Sequence, residues 1–259
     1  MNYTKLANDI VEWIKNYALT SNMKSLVIGV SGGVDSGLVS TLCAKTGLRT
    51  YVLSMPINQA SDQLQRAHNH CKWLKNNFSN TVYDEIDLTE INNKFVSLMH
   101  RSGETGYDNS LGYANSRSRL RMVTLYQVAS ATRGLVVGTG NKVEDFGVGF
   151  YTKYGDGGVD ISPIADLTKS EVRNLSRELN ILPEIVNAVP TDGLWEDNRS
   201  DESQIGASYE ELEWAMEYDK ILPTDRPEIT KRQNEVLSIY RKFNTQNKHK
   251  MVPIPTFKK

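Results

Sequence analysis

The stretch "GVSGGVDS", Gly29 to Ser36, puts two hydroxyls, two adjacent glycines and one acid between a short apolar run and a helical pattern. Adjacent glycines let a backbone adopt positive φ and approach a ligand closely. A helix opening there offers unpaired N–H groups and the positive end of its dipole, which suits phosphate oxygens. Ser31 and Ser36 add hydroxyl donors. Asp35 repels a bare phosphate, so its presence makes sense with Mg²⁺ between the two. No lysine follows the glycines before Ser36, so this is not a Walker loop, and without GxGxxG it is not a dinucleotide-binding turn either.

A second chemistry-bearing block runs from Gly134 to Val172, "GLVVGTGNKVEDFGVGFYTKYGDGGVDISPIADLTKSEV". It starts as a buried strand and ends in a helix opening near Thr168, with Glu171 completing a capping box. Between them Lys142, Glu144, Lys153, Asp156, Asp160 and Lys169 crowd a glycine-rich loop. Such charge at a strand's carboxyl end is expensive to bury without ligands to pair with.

The elements that must position these residues are legible as well. Apolar runs at 25–30, 50–55, 81–86 and 134–139 read as strands covered on both faces. Helical patterns at 37–46, 61–77, 92–99 and 114–132 fall between them. The alternation predicts an α/β fold: a doubly wound, mainly parallel sheet with helices on both faces and ligands at the strands' carboxyl ends. Residues 208–221 and 226–244 read as further helices, making the chain one unit, 1–259, with a helical carboxyl-terminal part from about 208 and a short basic tail from 247. The polar stretches 100–112 and 189–208 read as long loops that could close over a site.

Thirty basic against thirty-one acidic residues leave a net charge of −1, with no global field for nucleic acid or membrane. Cys43 and Cys71 are too few for a disulfide framework and read as small buried hydrophobes in a reducing cytoplasm. The first helix is amphipathic, with Asp9 and Glu12 inside it, and is not a signal peptide. "HNHC", residues 68–71, lacks a second ligand cluster, so solvent-facing histidines and one packed cysteine are expected rather than zinc. Trp13, Trp73, Trp195 and Trp214 read as core or interface residues, with Trp195 placed in a polar loop near the expected site.

"SGGVDS" resembles the pyrophosphate loop of the N-type ATP pyrophosphatases, which have an adenine nucleotide alpha hydrolase-like fold. The strings "GTGNK.E", "TKYGDGG.D" and "P...LTK" resemble the NAD synthetase signature within that superfamily. The likeness continues through "SRSRLRM", "PTDGLW", "SDESQIGASYEEL" and "HK" (249–250), and so covers nearly the whole chain.

This resemblance implies an ammonia-dependent ligase that amidates deamido-NAD to NAD⁺ through an acyl-adenylate, the last step of NAD biosynthesis. ATP is the co-substrate and Mg²⁺ the metal. It implies an ATP site of Gly29, Val30, Ser31, Gly32, Gly33, Val34, Asp35, Ser36, Thr139, Lys169 and Thr191, with Asp35 and Glu144 holding Mg²⁺. Arg119, Lys153, Asp160, His249 and Lys250 match residues contacting deamido-NAD, and Asp160 is also a candidate acceptor for incoming ammonia. Asp35, Glu144, Lys169 and Asp160 would be the catalytic group.

A homodimer is implied, and no glutaminase domain is expected, because too little chain precedes Gly29. Nitrogen would come as free ammonia or from a separate donor. Two departures stand out. There is one residue more between Glu144 and Lys153 than in many bacterial members, which affects the alignment of 145–151. Gly140–Asn141 stands where many bacterial members have Asp-His, a form resembling archaeal and glutamine-dependent members. Rival readings are another amide- or thio-transferring ATP pyrophosphatase and a non-catalytic nucleotide binder. The first includes a GMP synthetase subunit and the tRNA-modifying enzymes, of which the latter usually add cysteine motifs or a basic RNA face, neither visible here. The second would be expected to lack Asp35 or Glu144.

Overall fold

In the computed structural model, residues 1–100, 109–191, 193–194 and 199–258 are described. Trp195 and most of the polar stretch 100–112 lie outside them. The elements run α1 (Tyr3–Thr20), β1 (Ser25–Gly29), α2 (Val34–Lys45), β2 (Arg49–Ser54), α3 (Ser61–Asn77), β3 (Thr81–Glu85), α4 (Thr89–His100), α5 (Ser110–Thr132) and β4 (Gly134–Val136). A π-helical turn (Val143–Val148) follows, then α6 (Lys169–Glu178), α7 (Pro183–Val186), α8 (Asp201–Ile205), α9 (Tyr209–Lys220), a 3₁₀ turn (Pro223–Asp225) and α10 (Lys231–Met251).

The strands pair in the order β3-β2-β1-β4, all parallel. Alternation along each strand divides its side chains between two covers. Leu26 and Ile28 of β1 pack with α1, α2 and α6, whereas Val27 faces the opposite side with Ala129 of α5. On β2, Val52 meets α3 through Ala67, Cys71 and Leu74, and Leu53 joins the α5 side. The sheet is thus doubly wound, as expected. The order reverses between β1 and β4, and in such sheets ligands bind in the crevice outside the carboxyl ends at that switch point.

A second core gathers the π turn, α8, α9 and α10, through Val143, Val148, Ile205, Tyr209, Leu212, Ala215, Val236 and Leu237. Two boundaries differ from expectation. Strand β4 ends at Val136, with Val137 contributing only a parallel bridge to Ile161. Helix α10 starts at Lys231 behind a Thr230–Gln233 capping box and continues to Met251, so residues 247–251 of the expected tail are helical. There Asn247 donates to the Val148 carbonyl and Lys250 to those of Gly149 and Tyr151, which anchors the last turn.

The "HNHC" reading also needs correcting. His70 is wholly buried, its Nε2 2.9 Å from the Ser40 hydroxyl and its ring stacked on Trp73. It lies on the face of α3 that packs against α2, and burial pushes its pKa down to about 4. Among the described residues no group of three His, Cys, Asp or Glu side chains could hold a metal, and no helix is long and apolar enough to cross a membrane.

Candidate active site

The loop after β1 and the segment after β4 form the two walls of the switch-point cleft, whose lining includes Gly29 to Ser31, Gly33 to Ser36, Thr139, Glu144, Lys169 and Thr191. Gly32 has φ +87, and a Cβ there would lie 2.6 Å from the Gln63 carbonyl, so any larger residue meets both backbone strain and a clash. Gly33 is the N-cap of α2, and no side chain caps that end. The first turn of that helix, Val34 to Ser36, lines the cleft, and a helix start carries N–H groups without intrahelical partners.

The two serines do more than was expected of them. The Ser31 and Ser36 hydroxyls lie 3.1 Å apart, Ser36 accepts from the Ser31 N–H at 3.2 Å, and Ser36 donates to the Gly33 carbonyl at 3.1 Å. They stitch the loop into shape before any ligand arrives. Val30 and Val34 bury their side chains and contribute backbone.

Asp35, in the first turn of α2, meets two side chains from distant segments. The Lys169 amine lies 2.5 Å from Asp35 Oδ2 and 3.0 Å from Glu144 Oε1. Lys169 is the first residue of α6, set by the expected Thr168–Glu171 capping box, and is only 2% exposed. Burial works against its ammonium, yet the two carboxylates outweigh that and raise its pKa. Burial likewise raises the Glu144 carboxyl, while the Lys169 ammonium pulls the other way. A cation shared by two carboxylates is the arrangement that makes such charges tolerable in a dry site.

Several participants were not expected from the sequence. Asn141 donates to Asp35 Oδ1 at 3.0 Å, and its Oδ1 accepts from the N–H groups of Val143 (3.0 Å) and Glu144 (3.1 Å), tying the two acids together. The Tyr209 hydroxyl lies 2.6 Å from Glu144 Oε1 and 3.1 Å from Asp201 Oδ2. Asp145 and Asp156 also line the cleft. Burial, then Glu144, Asp156 and Asp35, push Asp145 up to about 8. Asp156 accepts from the Ser118 hydroxyl at 2.8 Å and from the Thr152 N–H at 2.9 Å. Asp156 is one of the charged loop residues of the second block, and Gly140 and Asn141 mark the departure from many bacterial members: a Cβ on Gly140 would collide with the Asp145 carboxylate.

Of the remaining expected residues, Thr191 belongs to that lining and the others lie outside it. Exposed Arg119 donates to the Lys153 carbonyl at 3.3 and 3.4 Å, and Lys153 donates to the His249 carbonyl at 2.7 Å. Residues distant in sequence thus form one strip. Lys250 turns inward to the Gly149 and Tyr151 carbonyls, 2.8 Å from each. Asp160 stands apart, accepting from the Tyr126 hydroxyl at 3.0 Å and the Val136 N–H at 2.7 Å. Lys142 pairs with Asp166 on the outside. Thr191 bonds within its own loop, to the Arg199 carbonyl and the Gly193 N–H.

A phosphate-sized loop facing two carboxylates and one lysine at a switch point defines an α/β nucleotide-binding protein equipped for charge-stabilised phosphate chemistry. The description "NAD synthase" attaches to the family model that matches residues 6–253. The NH(3)-dependent NAD(+) synthetase of Mesoplasma florum is 37% identical over 205 residues, 79% of this chain and 80% of that protein. Among solved structures, the NMN synthetase of Francisella tularensis superposes with a TM-score of 0.85 at 26% identity, covering 99% of this chain and 98% of that one. The Campylobacter jejuni NH3-dependent NAD synthetase gives 0.77 at 25% identity, with both chains covered in full. The chain belongs to the NAD synthase family.

Proposed function

We propose that the protein amidates deamido-NAD to NAD⁺ with ammonia, consuming ATP and releasing AMP and pyrophosphate. The single observation that carries this is the Lys169 ammonium held between Asp35 and Glu144 at the mouth of the glycine loop. Two carboxylate oxygens converging on one cation fit a divalent metal, and with only two such side chains phosphate oxygens would complete its shell. Asp35 and Glu144 would hold Mg²⁺, which when bound neutralises charge on the leaving pyrophosphate.

In this reading the loop from Gly29 to Ser36, Thr139 and Thr191 bind ATP, and Lys169 follows the phosphates as a compact mobile charge. A nicotinate carboxylate oxygen attacks the α-phosphorus of ATP and the bond to pyrophosphate breaks, leaving an acyl-adenylate. The ammonia lone pair then attacks the acyl carbon, the carbon–oxygen bond to AMP breaks, and nitrogen loses a proton. Arg119, Lys153, Asp160, His249 and Lys250 would meet deamido-NAD. The gathering of Arg119, Lys153 and His249 into one strip supports that assignment. Family resemblance adds a cytoplasmic homodimer to the reading.

The likeness to an NMN synthetase favours a second reading, in which the acid amidated is the mononucleotide. One assay separates the two: ATP and Mg²⁺ with deamido-NAD or nicotinate mononucleotide, and ammonium or glutamine as nitrogen source. NAD⁺ and AMP in equal amounts from deamido-NAD and ammonium are expected. Preference for the mononucleotide would move the assignment to NMN, and no amide from either acid would overturn both readings.

A further inference from the structure

Tyr209 is the first residue of α9 and belongs to the second core, yet it touches both halves of the charged cluster. It is 0% exposed. Its hydroxyl donates to Glu144 Oε1 at 2.6 Å, and the Lys169 amine lies over its ring, 4.6 Å from the centroid. A hydroxyl donating to a carboxylate is among the stronger side-chain hydrogen bonds, and an ammonium over an aromatic face is attracted by the ring quadrupole.

The backbone that carries Tyr209 is fixed from two sides. Ser208 and Glu211 form a reciprocal capping box around the start of α9, and the Tyr209 N–H donates to Glu202 Oε1 at 3.1 Å. Glu144 sits in the π-helical turn Val143–Val148, a geometry found mostly as single turns and frequently at functional sites, with its N–H bonded to Asn141 Oδ1 at 3.1 Å. A well-anchored donor therefore meets a carboxylate carried by a distant segment of the chain.

We propose that Tyr209 is a positioning residue: its hydroxyl fixes Glu144 and its ring steadies Lys169. The carboxylate pair then stays convergent when the lysine moves from the acids to nucleotide phosphates. The proposal rests on the reading that Asp35, Glu144 and Lys169 serve ATP and its metal. It also assigns a purpose to Tyr209 within the second core, which contributes this side chain to the site built by the sheet.

The test is calorimetric titration of the full-length protein with ATP, with and without Mn²⁺, for wild type, Tyr209→Phe, Glu144→Gln and the double variant. Each is first shown to melt cooperatively. Tyr209→Phe keeps the ring and removes only the hydroxyl. It should weaken Mn²⁺-dependent ATP binding about tenfold, the worth of one hydrogen bond to a charged group. Metal-free ATP binding and KM for the acid substrate should change less than about twofold. In the Glu144→Gln background the same substitution should cost little more, because the two residues act as a unit.

Additive losses in the double variant, or unchanged Mn²⁺ dependence in folded Tyr209→Phe, would overturn the proposal. Should the phenylalanine variant melt without cooperativity, Tyr209→Met is titrated in its place, and the same additivity criterion decides. Because binding is read without turnover, a wild type that binds Mn²⁺ and ATP but makes no amide defeats the functional reading alone.

Discussion

The inner cluster of Asp35, Glu144, Lys169 and Tyr209 and the outer strip of Arg119, Lys153 and His249 use similar residue types under opposite conditions. Inside, Lys169 is 3% exposed at its side chain and bonded to two carboxylates. Outside, exposed cationic side chains rest on backbone carbonyls. In a dry site each charge depends on its partners, and removing one strands the others at a cost of several kcal/mol. At the surface, water replaces a lost partner and little stability is at stake. The inner cluster must therefore be built by folding itself, whereas the strip is free to be shaped by whatever it meets.

The largest effect expected from this contrast comes from Lys169→Met, which leaves Asp35 and Glu144 facing each other without a cation. Stability should fall by about 3 kcal/mol, read as a loss of roughly 10 °C in Tm. Turnover should fall at least about 100-fold. Millimolar Mg²⁺ should restore part of the Tm but not the turnover. An unchanged Tm would mean that the cluster is as well solvated as the strip.

An effect on stability alone, with no loss of turnover, sharpens the same rule at His70, buried behind the phosphate loop. Its folded pKa of about 4 lies below the ordinary 6.5 because burial disfavours the imidazolium. Between those values the unfolded chain binds a proton that the folded chain refuses, so stability falls as pH drops through that window and levels off below it. The full span is about 3 kcal/mol. Urea unfolding of wild type and His70→Gln from pH 7 to pH 4 checks this: the wild-type curve should slope more steeply, and parallel curves would refute it.

The smallest stability effect belongs to Arg119→Ala. Its Tm should stay within about 1 °C of wild type, while KM for the acid substrate rises about tenfold with kcat little changed. A large Tm loss there would erase the distinction between the two regions.

How much of this could be read beforehand divides along the same line. The phosphate loop was legible because the constraint is local: two glycines, two serines and an acid at a strand–helix junction. The start of the helix that carries Lys169 was legible through its capping box, whereas the role of Lys169 itself came from the family resemblance. Tyr209 was not legible. In "GASYEEL" it reads as a helix residue, and nothing nearby says that it meets Glu144 across 65 positions of chain. His70 was misread for a related reason, since its exposure is decided by how α3 lies on α2 rather than by its neighbours in sequence. The spacing between Glu144 and Lys153 was noticed, but the π-helical turn from Val143 to Val148, which packs with α9 and α10, was not foreseen.

Strand β4 lies at the margin of the sheet, where unpaired N–H and C=O groups could recruit a strand from another molecule. Here the outward-facing Val136 is already taken. Its N–H donates to Asp160 Oδ2 at 2.7 Å and its carbonyl accepts from the Asp160 N–H at 2.9 Å. Val136 is therefore closed to an incoming strand, and Asp160 leaves less of this three-residue edge open to edge-to-edge self-association.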